Sequence, residues 1–276
     1  MLLLGVLGDP VSHSLSPVMH QAALRELGIS GTYLPLRVAS GDLGVALAGL
    51  GVLGWGGVNV TIPHKEAVIP FVSQMDPPAV AMGAVNTLYR VGGGWGGTNT
   101  DGVGFQAPLR EQDWAGKTVT ILGGGGSARA VIWACQELGM SAVQVVVRDP
   151  GRGQALAAQF AGIGVYAWGD LPRLLPGTDL LVNTTPVGMK APDQTPIASA
   201  LLGLLPRQAW VYDLIYVPDP TRLLMEAGAL GYRTQSGLEM LVQQGAAALS
   251  LWLGGIPVPI GVMRQAVVEQ LRQSRQ

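Results

Sequence analysis

Cysteine is nearly absent. The 276 residues hold one, Cys135, so no disulfide can form within the chain, and a reducing compartment, the cytoplasm, is expected. Excess charge of either sign is also missing: 17 Lys and Arg face 18 Asp and Glu. That balance supplies no field for nucleic acid or an anionic membrane, and it points to a small-molecule partner. No apolar run reaches the ~18 residues of a membrane span. His13, His20 and His64 lack metal-like spacing, and no Cys or acidic cluster joins them, so no metal is expected. Residues 1–7 are apolar but have no basic lead and turn at Gly8-Asp9-Pro10, too soon for a secretory core. A buried strand is expected there.

Glycine is plentiful, with 40 residues where average usage is ~7%. It clusters at 54–57, 92–97 and 123–126, which implies tight turns and close backbone approaches. Because single cores stop growing at roughly 250 to 300 residues, two domains around a cleft are expected. Apolar runs at 3–7, 33–37 and 57–61 alternate with helical patterns at 17–27, 43–50 and 65–71. That order reads βαβαβα, a parallel or mixed sheet with crossover helices. Residues 84–91 and 94–98 flank a Gly-Gly turn and read as a β-hairpin.

The pattern restarts at Lys117 with a strand at 118–122, a glycine turn, a helix at 127–138 stopped by Gly139, and a strand at 142–147. Strands at 180–183 and 210–214 and a helix at 221–227 continue it. Segments 237–253 and 259–271 look helical and have no strand partner left. The expected fold class is therefore α/β in two domains. An N-terminal α/β substrate domain with a mixed sheet (1–102) precedes a Rossmann-like, doubly wound nucleotide-binding domain (103–236), and C-terminal helices (237–276) return to the first.

The turn Gly123-Gly124-Gly125-Gly126-Ser127-Ala128 lies between strand and helix, the context that gives G-x-G-x-x-G/A its meaning. Gly123 suits the tight turn, Gly125 lets a pyrophosphate approach, and Ala128 keeps helix and strand close. No Lys-Ser or Lys-Thr follows, which argues against a P-loop. After the second strand stand Val147-Arg148-Asp149 and Arg152. Arg148 and Arg152 suit the 2′-phosphate of NADP, or are a solvated helix start. Asp149 would repel that phosphate and leaves NAD use open.

In the first domain Asn59 and Thr61 project from one face of a strand end, within reach of a polyhydroxylated ligand. Lys65 falls in the first turn of a helix, where the macrodipole disfavours a cation. Its charge therefore reads either as catalytic, held by a nearby carboxylate, or as a solvated surface. Asp101, in Thr98-Asn99-Thr100-Asp101-Gly102, sits at the domain junction, and cleft chemistry and helix capping are both open to it. Ser14 and Ser16, on the turn before the first helix, suit a carboxylate or serve as caps.

Together these segments resemble the shikimate dehydrogenase family, in order and through nearly the whole chain. The resemblance rests on Gly8-Asp9-Pro10-Val11-Ser12-His13-Ser14-Leu15-Ser16-Pro17, Asn59-Val60-Thr61-Ile62-Pro63-His64-Lys65, Gly83-Ala84-Val85-Asn86-Thr87 and Asn99-Thr100-Asp101-Gly102. It continues in Asn183-Thr184-Thr185-Pro186-Val187-Gly188-Met189, Tyr212-Asp213-Leu214-Ile215-Tyr216 and Gly237-Leu238-Glu239-Met240-Leu241-Val242-Gln243-Gln244. It implies reversible NADPH-dependent reduction of 3-dehydroshikimate to shikimate, a step of chorismate and aromatic amino acid biosynthesis, by a monomer or homodimer. Lys65 and Asp101 would be catalytic. Ser14, Ser16 and Tyr216 would meet the substrate carboxylate, and Asn59, Thr61, Asn86, Asp101 and Gln244 the ring hydroxyls. Gly123, Gly124, Gly125, Gly126, Ser127, Arg148, Arg152, Ile215 and Gly237 would line the NADP site. The family's usual Asn-Arg-Thr is here Val147-Arg148-Asp149. A quinate-acting or NAD-using paralogue, and a non-catalytic nucleotide sensor on the same fold, are the rival readings.

Overall fold

A computed structural model describes residues 1–273, in which the chain divides into two compact units. Unit 1 comprises Met1–Gly104 and Leu241–Gln276, and unit 2 comprises Phe105–Met240.

The N-terminal part of unit 1 runs β1 (Leu2–Gly8), α1 (Ser16–Glu26), β2 (Gly31–Arg37), α2 (Leu43–Val52), β3 (Gly57–Val60), α3 (His64–Ala67), β4 (Gln74–Met75), α4 (Pro77–Met82), β5 (Thr87–Val91), β6 (Gly94–Thr98) and α5 (Asp101–Gln106). The strands form one sheet ordered β2-β1-β3-β5-β6-β4. β1 pairs in parallel with β2 and β3, and β4 with β6, whereas β5 is antiparallel to β3 and β6, so the sheet is mixed. Leu4, Val6 and Leu7 of β1 and Val58 and Val60 of β3 are almost fully buried, as expected of central strands covered on both faces. The expected helix at 65–71 is shorter. α3 stops at Ala67 and a 3₁₀ turn follows at Ile69–Phe71, because Pro70 has no N–H for the helical ladder.

Unit 2 runs β7 (Thr118–Leu122), α6 (Gly126–Glu137), β8 (Ala142–Val147), α7 (Pro150–Gln159), β9 (Ile163–Ala167), α8 (Leu171–Leu174), β10 (Leu180–Asn183), α9 (Ser199–Leu202), β11 (Trp210–Asp213), α10 (Arg222–Ala229) and β12 (Arg233–Ser236). All six strands are parallel in the order β12-β11-β10-β7-β8-β9. The order reverses between β7 and β10, the point where doubly wound sheets bind ligands at their carboxyl ends. One core packs Val119, Ile121, Val131, Val145, Val182 and Tyr212 between sheet and helices.

The chain ends with α11 (Gly237–Trp252) and α12 (Ile260–Gln273). From Leu241 onward these helices belong to unit 1, where α12 packs on α1 and the Trp252 indole N–H donates to the Leu88 carbonyl at 2.9 Å. Among the described residues no helix is long and apolar enough to cross a membrane.

Candidate active site

The polar centre of unit 1 is built by strand register. Asn59 on β3 stands opposite Thr87 on β5, and Thr87 opposite Thr98 on β6, so the ends of three strands bring their polar residues into one row. α3 follows β3 and carries Lys65, while α5 follows β6 and opens on Asp101. The Lys65 ammonium pairs with one Asp101 carboxylate oxygen, and the two side chains are only 14% and 6% exposed. The other oxygen accepts from the Asn86 amide at 2.8 Å. A buried ion pair repays its desolvation only when its remaining valences are filled, and here Asn86 supplies the partner of the second carboxylate oxygen.

Asn86 has no spare capacity. Its amide hydrogens go to Thr100 Oγ1 (3.0 Å) and Asp101, and its side-chain carbonyl accepts from the Thr100 N–H and the Thr87 hydroxyl, each at 2.8 Å. It therefore orients Asp101. The Asn99 side chain accepts from the Asp101 N–H at 2.9 Å and fixes the same turn. Asn59 gives its amide hydrogens to the Asn86 main-chain carbonyl (3.2 Å) and Thr87 Oγ1 (3.0 Å), and its own side-chain carbonyl accepts from the Tyr33 hydroxyl at 2.7 Å. One lone pair on that Asn59 oxygen remains for a ligand.

Thr61 is half-buried just past β3. Ser16 is 6% exposed at the start of α1, and its N–H reaches Ser14 Oγ at 3.3 Å. Gln244 on α11 is buried, its amide turned onto the Leu241 carbonyl of its own helix at 2.7 Å. Unit 1 thus gathers Ser14, Ser16, Asn59, Thr61, Lys65, Asn86, Asp101 and Gln244. Tyr33, Thr87 and Thr100 belong to the same network. Sequence reading passed over them because their roles are to hold other side chains.

Burial sets the charge state of the groups around this centre. It holds His20 down to about 4, so that the ring is neutral at physiological pH, and it pushes the Tyr33 hydroxyl well above its usual range.

Tyr216 and the glycine turn lie in unit 2. Tyr216 is partly exposed, and burial raises its hydroxyl above the usual range. Gly123 has φ +108, a conformation a side chain would strain, and a Cβ there would stand 2.6 Å from Thr184 Oγ1. Gly125 precedes α6 in extended conformation, with no side chain capping the helix, and a Cβ on it would meet no protein atom within 4 Å. The first N–H groups of a 12-residue helix, through Gly126 and Ser127, therefore face an open cradle, which suits phosphate. Gly124 packs against Val147 and Leu156.

Arg148 is exposed at the end of β8, and Arg152 lies on the first turn of α7. The Asp149 carboxylate caps α7, accepting from the Gly151 N–H at 2.9 Å, and its other oxygen lies 3.9 Å from Arg152 Nε. Its charge is directed to its own helix and offset, so Arg148 keeps its positive field, and the residues present fit a 2′-phosphate. Ile215 is buried, and the Gly237 N–H donates to its carbonyl at 3.1 Å.

Beneath this edge Asp213 accepts from Asn183 (2.9 Å), the Ile215 N–H (3.1 Å) and the Thr221 hydroxyl (2.7 Å). Burial nonetheless pushes its carboxyl up to about 6, and the three donors oppose the rise. Among the described residues no three His, Cys, Asp or Glu side chains come together as a metal site would need.

Two family models match the chain: the shikimate dehydrogenase substrate binding domain over residues 6–88 and the shikimate 5'-dehydrogenase C-terminal domain over residues 237–268. Shikimate dehydrogenase (NADP(+)) of Synechococcus sp. (strain JA-3-3Ab) is 52% identical over 276 residues, covering 98% of this chain and 94% of the relative. The protein of the same name from Synechocystis sp. (strain ATCC 27184 / PCC 6803 / Kazusa) is 49% identical, covering 99% and 97%. Shikimate 5-dehydrogenase from Thermus thermophilus, solved in complex with NADP(H) and shikimate, superposes with a TM-score of 0.88 at 38% identity, covering 98% of this chain and 99% of that one. By sequence over its full length and by fold, this chain belongs to the shikimate dehydrogenase family.

Proposed function

We propose that this chain reduces the ring ketone of 3-dehydroshikimate to shikimate, reversibly and with NADPH, in the cytoplasm and with small molecules as its only partners. Unit 1 holds the substrate and unit 2 the cofactor. The observation that carries the chemistry is the buried Lys65–Asp101 pair, locked by Asn86.

Lys65, protonated, donates to the oxygen that gains charge as the ketone is reduced, and in the reverse direction its neutral form takes that proton back. Asp101 fixes the Lys65 ammonium and accepts from a neighbouring ring hydroxyl. Asn86 acts through Asp101. Ser14 and Ser16 receive the substrate carboxylate, while Asn59, Thr61 and Gln244 receive hydroxyls. Gln244 must leave its own helix carbonyl to do so.

When bound, NADPH supplies the hydride. Gly123, Gly124, Gly125, Gly126 and Ser127 would hold its pyrophosphate, Arg148 and Arg152 its 2′-phosphate, and Ile215 and Gly237 the remaining contacts. The decisive assay follows nicotinamide absorbance while the protein oxidises shikimate, with NADP and NAD in parallel, and is repeated with quinate in place of shikimate. Turnover with shikimate and NADP supports the assignment. Turnover confined to quinate or NAD moves the chain to a paralogous activity, and cofactor binding without turnover makes it a sensor.

A further inference from the structure

Behind the polar row of unit 1 lies a pair of buried rings with no part in the chemistry above. His20 on α1 and Tyr33 on β2 stack with centroids 4.1 Å apart and planes 13° from parallel, and neither is more than 2% exposed. Trp252 of α11 closes the cluster at 5.9 and 6.3 Å. Each ring of the pair reaches residues of the substrate site. The Tyr33 hydroxyl donates to the Asn59 side-chain carbonyl at 2.7 Å, which fixes the amide's orientation and leaves its one free lone pair aimed in a single direction. His20 Nδ1 lies 2.8 Å from the Ser16 carbonyl and Nε2 lies 3.2 Å from the carbonyl of Gly245, the residue next to Gln244.

Contact between α1 and α11 is close at this point. A Cβ on Gly245 would stand 2.2 Å from the Met19 methyl and 3.1 Å from His20. Ser16, Asn59 and Gln244 come from a helix, a central strand and a C-terminal helix, far apart in the chain. The two stacked rings are what they have in common.

We infer that His20 and Tyr33 are positioning residues for the substrate, setting the mutual placement of Ser16, Asn59 and Gln244 so that carboxylate and hydroxyls meet a prearranged set of partners. The inference rests on the assignment of those three residues to the substrate. Prearrangement lowers the ordering cost of binding, so its loss reads in substrate affinity. An inert core pair, by contrast, would affect stability alone.

Two variants remove the polar contacts while leaving an aromatic ring at each position: Tyr33→Phe, which keeps its ring, and His20→Phe, which replaces imidazole by the larger phenyl. Kinetics are measured with shikimate and NADP varied separately, beside thermal midpoints. Loss of one net hydrogen bond predicts a rise of about threefold to tenfold in the KM for shikimate in Tyr33→Phe, with the KM for NADP and kcat held within about twofold. His20→Phe should shift the shikimate KM in the same direction. The hydroxyl also meets the Ser16 side chain, so in an Asn59→Ala background Tyr33→Phe should cost less than it does alone, by the part that runs through that amide.

The inference is overturned if the variants lose stability but keep the wild-type shikimate KM, if both KM values rise together, or if the Tyr33→Phe effect adds in full to that of Asn59→Ala. Should His20→Phe fail to fold, the Tyr33 and Asn59 cycle decides alone. A wild-type protein silent with shikimate and NADP overturns the functional assignment and this inference together, whereas an active wild type with unchanged variants overturns only the positioning role.

Discussion

The two units prepare for their ligands in opposite ways. Unit 1 does it with side chains that hold one another in place: Lys65, Asp101, Asn86, Thr100, Thr87, Asn59 and Tyr33 form a continuous hydrogen-bonded series. Unit 2 does it with backbone, leaving open space beside Gly125 at the start of α6. The buried titratable groups behind the two sites also differ in sign, a base held neutral in unit 1 and an acid raised by burial in unit 2. A side-chain network is sensitive to what is removed, and a backbone cradle to what is added.

The largest effect should come from removing the proton donor. Lys65→Ala is expected to lower kcat by roughly 10² to 10⁴, the usual worth of general acid–base catalysis, with little change in the KM for NADP. Near-normal turnover by steady-state kinetics would end the assignment.

Next in size is the pH dependence of unfolding. His20 has a folded pKa of about 4 against 6.5 when free, so its contribution is complete above pH 6.5 and is lost as pH falls through 4. Asp213 is raised from 3.8 to about 6, so its contribution is complete below pH 3.8 and is lost as pH rises through 6. Each amounts to at most about 3 kcal/mol, and between pH 4 and 6 the two oppose each other. Denaturant unfolding of His20→Phe should therefore show stability falling with rising pH across that window, and Asp213→Asn should show it rising. Parallel slopes would show that the two groups do not set the balance.

A smaller effect tests the cradle. Gly125→Val should raise the KM for NADP at least about tenfold through steric exclusion of phosphate, with a stability change under about 1 kcal/mol since no protein atom is displaced. Gly245→Ala in unit 1 is the converse, costing about 1 to 3 kcal/mol by overpacking against Met19 and His20. Thermal melts beside NADP titrations separate the two. Smallest of all, Asp149→Ala removes the α7 cap at a cost of about 1 kcal/mol and should leave the ratio of NADP to NAD activity unchanged. A large shift in that ratio would mean that the carboxylate faces the cofactor.

How much of this was legible in the sequence follows from burial. β7, β8 and β10 are largely buried and read as short, mainly apolar runs, interrupted only by Thr118, Thr120, Gln144 and Asn183, so they could be placed from sequence. β12, with the sequence RTQS, is a polar edge strand and leaves no such run, whereas β9, IGVYA, is apolar but half-buried, with Gly162 before it and Gly164 within it, and glycine weakens a strand signal. α7, PGRGQALAAQ, mixes glycine with small residues and has no clear apolar stripe. Lys65 and Asp101 each stood out by position, but their pairing depends on the β3-β5-β6 register, which no local pattern encodes. His20 was the least legible, since its partners are main-chain carbonyls and one of them lies 225 residues away.

The division of the chain also sets an order of synthesis. Unit 2 is one uninterrupted stretch, Phe105–Met240, and every strand of its sheet is available once that stretch has left the ribosome. Unit 1 begins first and finishes last: the emerging N-terminal part lacks Trp252, Gly245 and the α12 helix that covers α1. Domains fold as units during translation, so the later-starting unit matures first. The nascent N-terminal part must wait, with its aromatic pocket unfilled, for the final helices to arrive.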